Sequence, residues 1–472
     1  MVVVPSRIID KWHEPPIESQ ALEERLLCLL LMLRDPGLRI VYVTSLPLPA
    51  ASIDYQLSLL PRAERASARA RLALISTGDP SQRPLSEKLL RRPSVLREIR
   101  RQIANDAPCH LVPYATTDAE RELALALDAP LYGADPRHAH LGTKSGSRKL
   151  FGRAGVPHPL GVEGVAETAD LVTAIEHLLA TKPEIAQVVV KLDEGVSGDG
   201  NAMVDVRGLP SNDRDRIAER VDRMAVEAGV SATAFLDKLS ARGGIVEERI
   251  TGLEVRSPSV QVDLTPSGTV EIVSTHDQLL GGHNGHSYLG CRFPAEPAYA
   301  AAITGAARRV GSTLADAGVV GRCAVDFVVT RDTRGRWHPY AIELNLRKGG
   351  TTHPFATLAR LTGGTYDPVT ATFTTPTGVT KHYVASDNLS SPLLHRLDHA
   401  DLFELIRRRR LGFDHLRRRG VVFHMLSALE PLGRIGLTAI GDTAADAERR
   451  FERARVVLLL AAAARTDLSL AA

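Results

Sequence analysis

Over residues 1–140, short continuous apolar runs alternate with stretches in which apolar positions recur every three to four residues. Leu38–Leu46 (LRIVYVTSL) is rich in β-branched residues and closes on the Pro47/Pro49 turn, the pattern of a buried strand. Leu85–Ile103 has helical periodicity and many arginines. Cys109–Val112 reads as a second short strand and Asp118–Leu127 as a helix, and Pro130–Tyr132 leads into the turn Gly133-Ala134-Asp135-Pro136. Strand and helix in alternation predict a parallel α/β domain.

From Lys144 the pattern changes. A helix over Ser145–Ala154 stops at Gly155, ahead of Pro157 and Pro159. A strand at Val188–Leu192 runs into the glycine-rich GVSGDG of Gly195–Gly200, and Leu209–Arg242 is polar and helical. Strands follow at Ile245–Ile250, Arg256–Leu264, Val270–Leu280, Val325–Thr330 and Trp337–Leu346, interrupted by one long helix, Ala298–Ala317. This part is α+β, built on antiparallel sheet. The tail adds a helix at Ala400–Arg410, strands at Val421–Leu426 and Arg434–Ile440, and a final helix from Thr443. The predicted division is an N-terminal α/β domain (1–140), a lid region (141–250), a core (251–385) and a C-terminal α/β extension (386–472).

Composition narrows the class. At 472 residues the chain exceeds one simple core. Its 58 basic and 55 acidic residues leave a formal charge of +3, which gives no reason to expect bulk binding to nucleic acid. Seven arginines fall within Arg407–Arg419, but without interleaved aromatic residues they read as a solvated helix face. Only nine residues are lysine, so each lysine is a rare choice. Cys28, Cys109, Cys291 and Cys323 form no CxxC pair and fit a reducing cytoplasm. Met1–Pro5 lacks the features of a signal peptide. The longest apolar runs, Leu26–Leu33 and Val456–Ala464, fall well short of the ~20 residues that span a bilayer, so no membrane is expected as a partner.

Four features carry the chemistry. Lys144 stands just ahead of a helix. Lys191 ends a strand and precedes GVSGDG, where glycines let backbone N–H groups approach phosphate oxygens; alone, this could be an ordinary hairpin turn. Val246-Glu247-Glu248-Arg249-Ile250, with Glu254 beyond it, can offer a free backbone edge to an adenine ring and a carboxylate to ribose hydroxyls, or be a charged surface strand. Asp326 lies in an apolar strand, and Glu343 and Asn345, two apart, share a face of another. Unpaired carboxylates there would be costly, and two carboxylates with an amide oxygen suit Mg²⁺ completed by water and nucleotide phosphates. Arg347, two residues past Asn345, can hold a developing anionic oxygen, and Gly349 and Gly350 allow close approach of a substrate.

In this order the four features resemble the ATP-grasp superfamily from about Asp135 to Pro354. The string Asn345–Pro354 (NLRKGGTTHP), with His276-Asp277-Gln278 and Gly281–Gly285, resembles the pheganomycin-type peptide ligases. The resemblance implies an ATP-grasp fold with a pre-ATP-grasp N-terminal domain, and ATP and Mg²⁺ as cofactors. It implies an ATP-dependent ligase that joins a small-molecule carboxylate donor, such as a modified amino acid, to an amine or peptide through an acyl phosphate. It assigns Lys144 and Lys191 to the phosphates and Ser197, Gly198 and Gly200 to the loop over them. Glu247 and the backbone of Glu248 and Ile250 read adenine, Glu254 the ribose; Asp326, Glu343 and Asn345 bind Mg²⁺, and Arg347 is catalytic. His283, Asn284, Gly350, Thr351 and His353 are the expected substrate-side residues. Some relatives carry an arginine where this chain has Ala324; Arg322 is the candidate substitute. A homodimer is a family-level expectation. An acid–thiol ligase and a non-catalytic nucleotide-binding regulator are the alternatives on the same site.

Overall fold

A computed structural model of the protein describes residues 1–7, 16–103, 108–195, 200–226, 230–281 and 287–469. Four parallel strands open the chain, in the order Leu72–Ser76, Ile40–Thr44, Val2–Val4, Leu111–Pro113. Val2, Val3, Val4 and Tyr42 are fully buried, because helices cover both faces of a parallel sheet. The Asp118–Leu127 helix has the predicted bounds, set by a capping box between Thr117 and Glu120. The predicted helix Leu85–Ile103 is two helices, Leu85–Leu90 and Pro93–Gln102. Arg92, held out of the helical region (φ −125°, ψ 78°) by the following proline, makes the break.

The lid is an antiparallel sheet ordered Gly161–Val165, Gly244–Glu248, Gln187–Leu192, Asn201–Asp205. The helix Thr168–Thr181 covers it, and the predicted helical stretch Leu209–Arg242 holds a pair of helices, Arg214–Asp222 and Ala232–Arg242.

The remaining strands form one antiparallel sheet. Its order is Trp337–Asn345, Gly321–Arg331, Pro258–Leu264, Val270–Gly281, Ser287–Phe293, His382–Ser390, Arg434–Gly441, Gly420–His424, and Glu254–Arg256 pairs with Gly321–Arg331 off that path. The expected boundary at residue 385/386 therefore falls inside a strand. The C-terminal segment extends the core sheet and is not a separate α/β unit. Its Leu437, Leu458 and Ala462 share an apolar core with Leu26, Leu30 and Tyr42 of the N-terminal layer. This is why Leu26–Leu33, a 3₁₀ helix within Glu24–Arg34, is so apolar: two layers close on it. None of the described helices is long and apolar enough to cross a membrane.

Gly321 begins the strand that carries Asp326 and lies against the N-terminal layer. Its φ is +103°, and a Cβ would sit 2.8 Å from the Cα of Gly133. Gly305, within the helix Pro297–Asp316, has nothing within 4 Å of a Cβ. Gly321→Ala should therefore lower the thermal midpoint, at a cost of about 2 kcal/mol, whereas Gly305→Ala should raise it, by about 1 kcal/mol. Differential scanning calorimetry of the two variants checks the contrast.

Candidate active site

Antiparallel register puts the two acidic groups of the core opposite each other. Asp326 pairs with Glu343, and Ala324 with Asn345. Pro258–Leu264 lies on the other side of the Asp326 strand, with Ser259 opposite Asp326. Gln278 Nε2 donates to Asp326 Oδ1 (3.0 Å) and Asn345 Nδ2 to Oδ2 (3.0 Å). Asn345 thus turns its nitrogen to Asp326 and keeps its carbonyl oxygen as a remaining donor for a cation. Burial, and next the Glu343 charge, push the Asp326 carboxyl up to about 6. Burial also raises Glu343, but the Lys144 ammonium, 2.7 Å from its Oε1, together with the Arg347 and Lys191 charges, leaves the carboxyl below its ordinary value. The Arg347 charge lowers both, while its Nη1 donates to the Lys348 carbonyl (3.1 Å).

Lys144 is set by local chemistry. Thr143 caps the helix Lys144–Arg153 by accepting from Gly146 N–H, and Asp193, just past the Lys191 strand, binds the same helix end. The Asp193 carbonyl accepts from Lys144 N–H (3.1 Å) and its carboxylate from Ser145 N–H (2.7 Å). An anion at a helix N-terminus is favourable, and this one ties the lid strand to the core helix. One turn on, the buried Arg148 donates to Glu247 Oε2 (2.9 Å), Glu163 Oε1 (2.7 Å) and the Pro159 carbonyl (2.8 Å). Lys191 Nζ lies 2.5 Å from Glu247 Oε1. Each lysine thus rests on a carboxylate in the ligand-free protein.

Several expected roles change. Gly244–Glu248 is an inner strand between Gly161–Val165 and Gln187–Leu192, so it has no free edge. Glu248 N–H donates to the Leu160 carbonyl (2.8 Å), and its side chain is held by Leu160 N–H (3.0 Å) and Lys182 (2.6 Å). Of the residues expected to offer backbone to adenine, only Ile250, beyond the strand, makes no backbone–backbone hydrogen bond among the described residues. Glu247 is buried with both oxygens occupied. Arg322 pairs with Asp263 (2.9 Å), which also accepts from Tyr132 Oη, so its guanidinium is already engaged. Through Asp263 and Tyr132 it braces the N-terminal layer. His353 is 2 % exposed and bonded to Asp387 and His424, so it does not face a substrate. His276 is fully buried against Tyr383 Oη (2.6 Å), and burial pushes it down to about 3. Glu254 keeps a partly exposed carboxylate, beside Arg256 (2.5 Å) and Arg331 (3.6 Å). The Gly200 carbonyl accepts from Leu192 N–H (2.9 Å), closing the base of the glycine-rich loop. Ser197, Gly198, His283 and Asn284 lie outside the described residues. The arginine-rich stretch is mostly paired internally: Arg407 and Arg408 to Glu404, Arg417 to Asp414 and Arg419 to Asp442.

The loop after Asn345 is anchored throughout. Lys348 N–H donates to the Tyr114 carbonyl (3.1 Å), and its buried ammonium, pushed down to about 7 by desolvation, donates to the Pro113 carbonyl (2.7 Å). Gly350 lies against the Tyr288 ring, 2.6 Å from where a Cβ would be. Gln261 donates to the Thr351 carbonyl (2.9 Å) and accepts from Thr352 Oγ1 (3.0 Å). Asp193, Arg148 and Gln261 were not singled out from sequence, and Gln278 entered only within the His276-Asp277-Gln278 string, with no role of its own. The available signal was a polar residue inside an apolar strand for Gln278 and Gln261, and one helical turn from Lys144 for Arg148.

The family model described as "IQCH-like, ATP-grasp" matches residues 136–227 and 217–368, and that described as "PGM1 C-terminal domain" matches 401–454. The L-propargylglycine–L-glutamate ligase of Streptantibioticus cattleyicolor is 32% identical over 92% of this chain and 89% of its own length. The IQ motif-containing protein H of Danio rerio is 24% identical over 72% of the chain and 35% of its own length. Among solved structures, the Campylobacter jejuni biotin carboxylase complex with β,γ-ATP superimposes with a TM-score of 0.58 at 16% identity, covering 92% of each chain. The N5-carboxyaminoimidazole ribonucleotide synthetase of Thermus thermophilus does so with 0.52 at 15%, covering 96% of this chain and 97% of its own.

The Lys144–Glu343 pair relieves two facing carboxylates, so the effects of its two members should not add. Lys144→Met should destabilise the ligand-free protein by about 2 kcal/mol, and adding Glu343→Gln should recover at least about 1 kcal/mol. Urea unfolding of the double-mutant cycle measures this; additive losses would contradict the pairing.

Proposed function

This chain belongs to the ATP-grasp superfamily and within it to the pheganomycin-type ligases, and from that premise we propose the steps by which its residues join a carboxylate to an amine. The observation that carries the reading is Asp326 opposite Glu343 on adjacent strands, under the charges of Lys144 and Arg347. Two half-buried carboxylates on facing strand positions favour a cation between them, and the Lys144 ammonium bonds only Glu343. Asp326, Glu343 and the free oxygen of Asn345 fit Mg²⁺, which when bound would neutralise charge on the β- and γ-phosphates of ATP.

Lys144 and Lys191 exchange Glu343 and Glu247 for phosphate oxygens, so binding replaces two internal ion pairs by two to the nucleotide. Arg148 keeps Glu247 compensated once Lys191 leaves. Ile250 offers the backbone for adenine and Glu254 the carboxylate for ribose. A carboxylate oxygen of the donor attacks the γ-phosphorus, the bond to the bridging oxygen of ADP breaks, and an acyl phosphate forms; the protein's part is positioning and charge neutralisation. The amine nitrogen then attacks the acyl carbon. The C–N bond forms, phosphate leaves with the electron pair of the C–O bond, and the proton lost by the amine passes to solvent or phosphate. Arg347 and the backbone N–H groups of Gly349–Thr351 hold the oxyanion. The named substrates of the Streptantibioticus ligase, L-propargylglycine and L-glutamate, make amino acids the class to test as donor and acceptor.

The test is ADP release over pairs of amino acids, beginning with L-glutamate and L-propargylglycine, with mass spectrometry of products. ADP and amide should appear in equal amounts and require both substrates. Asp326→Asn and Lys191→Ala should each lower turnover by about 10³-fold or more. Near-normal turnover in either variant would remove that residue from the phosphate site.

A further inference from the structure

A second buried cluster of ligating side chains lies at the far end of the Arg347 loop. His353 Nε2 is 3.0 Å and His424 Nε2 2.8 Å from the same oxygen of Asp387, Oδ1, and the two nitrogens are 3.1 Å apart. Arg25 Nη2 lies 2.6 Å from Asp387 Oδ2, and its Nη1 donates to Tyr114 Oη (3.2 Å). With Tyr114, these five residues come from three parts of the fold. Arg25 and Tyr114 belong to the N-terminal layer, His353 to the first turn of the helix Thr352–Thr362, and Asp387 and His424 to the C-terminal strands.

Two imidazoles and a carboxylate are also a metal-ligand set, but two observations favour a hydrogen-bonded assembly. Arg25 already compensates Asp387, so a divalent ion would leave two uncompensated positive charges in a buried site. A metal-bound imidazole also needs an acceptor for its other N–H, and His353 Nδ1 is buried with no partner among the described residues. With the proton on Nε2 donated to Asp387, Nδ1 is a bare acceptor, a less costly orphan than a bare N–H. Burial pushes His353 down to about 4, consistent with that neutral form. The Arg25 charge and the hydrogen bonds from His353 and His424 more than offset the burial of Asp387 and keep its carboxyl ionised.

We propose that Asp387 is a positioning residue for the second half-reaction. By holding His353 and His424 on one oxygen and Arg25 on the other, it fixes the Arg347–His353 loop around the acyl carbon. The proposal rests on the acyl-phosphate reading above and deepens it. The loop's other anchors, Gln261 on Thr351 and Thr352, and Tyr114 and Pro113 on Lys348, stop one residue short of His353, whose imidazole carries the last tie. Asp387 does not contact Asp326 or Glu343, so phosphorylation of the donor should survive its loss.

The test uses the full chain and the substrate pair identified by ADP release, with hydroxylamine to trap the acyl phosphate as a hydroxamate. Asp387→Asn should form hydroxamate within about fivefold of the unsubstituted protein yet lose about 50-fold or more in amide formation, so that ADP outruns amide. His424→Leu should uncouple in the same direction and His424→Gln, which keeps a donor for Asp387, should restore coupling; these cover the case in which Asp387→Asn does not fold. Parallel loss of hydroxamate and amide with a lowered thermal midpoint would reduce the cluster to a structural role, and unchanged coupling would remove it altogether. Stoichiometric metal that co-purifies with the protein in the absence of nucleotide and is lost in Asp387→Asn would overturn the hydrogen-bonded assembly. Absence of hydroxamate from the unsubstituted protein would instead refute the ligase reading itself.

Discussion

The cross-strand pair Asp326–Glu343 is the constraint around which the rest is arranged. Antiparallel register sets two half-buried carboxylates opposite each other, where water screens them only in part, and a fold that does so is stabilised by cations beside them. Lys144 arrives from a helix whose N-terminus Asp193 ties to the lid, and Arg347 from the loop directly after the second strand. The cost of the carboxylate pair in the ligand-free state is what makes the site receptive to Mg²⁺ with a nucleotide.

The same logic explains why the lysines are paired inside the protein. Lys144 on Glu343 and Lys191 on Glu247 avoid two buried unpaired ammonium groups. Binding then exchanges ion pairs and buries no new uncompensated charge, which keeps the free-energy change of each exchange modest. Arg148, bonded to Glu247, Glu163 and a carbonyl, remains to hold Glu247 when Lys191 moves.

Much of this was legible in the sequence because strand periodicity is local. Glu343 and Asn345 on one face, the Asp118–Leu127 helix and the long helix near Ala298–Ala317 all follow from spacing and caps. What was not legible depends on pairing between distant segments. Nothing within Val246–Ile250 says that its strand has neighbours on both sides, so the free edge was misplaced by a few residues. Arg322 and Asp326 share strand periodicity, but the pairing of Arg322 with Asp263 is fixed only by the register of Pro258–Leu264. The C-terminal strands look like a separate unit because their partner, His382–Ser390, carries too many polar residues to read as a buried strand. Asp387 and Ser386 are polar there for a reason that requires the assembled layers.

The central claim is that a cation held by Asp326, Glu343 and Asn345 takes over from Lys144 when nucleotide binds. Anomalous scattering from crystals grown with Mn²⁺ and a non-hydrolysable ATP analogue tests it most directly. The account predicts a Mn²⁺ peak within coordination distance of all three side chains, with Lys144 moved from Glu343 onto a phosphate oxygen. A nucleotide bound with the Lys144–Glu343 pair intact and Mn²⁺ ligated elsewhere would contradict it.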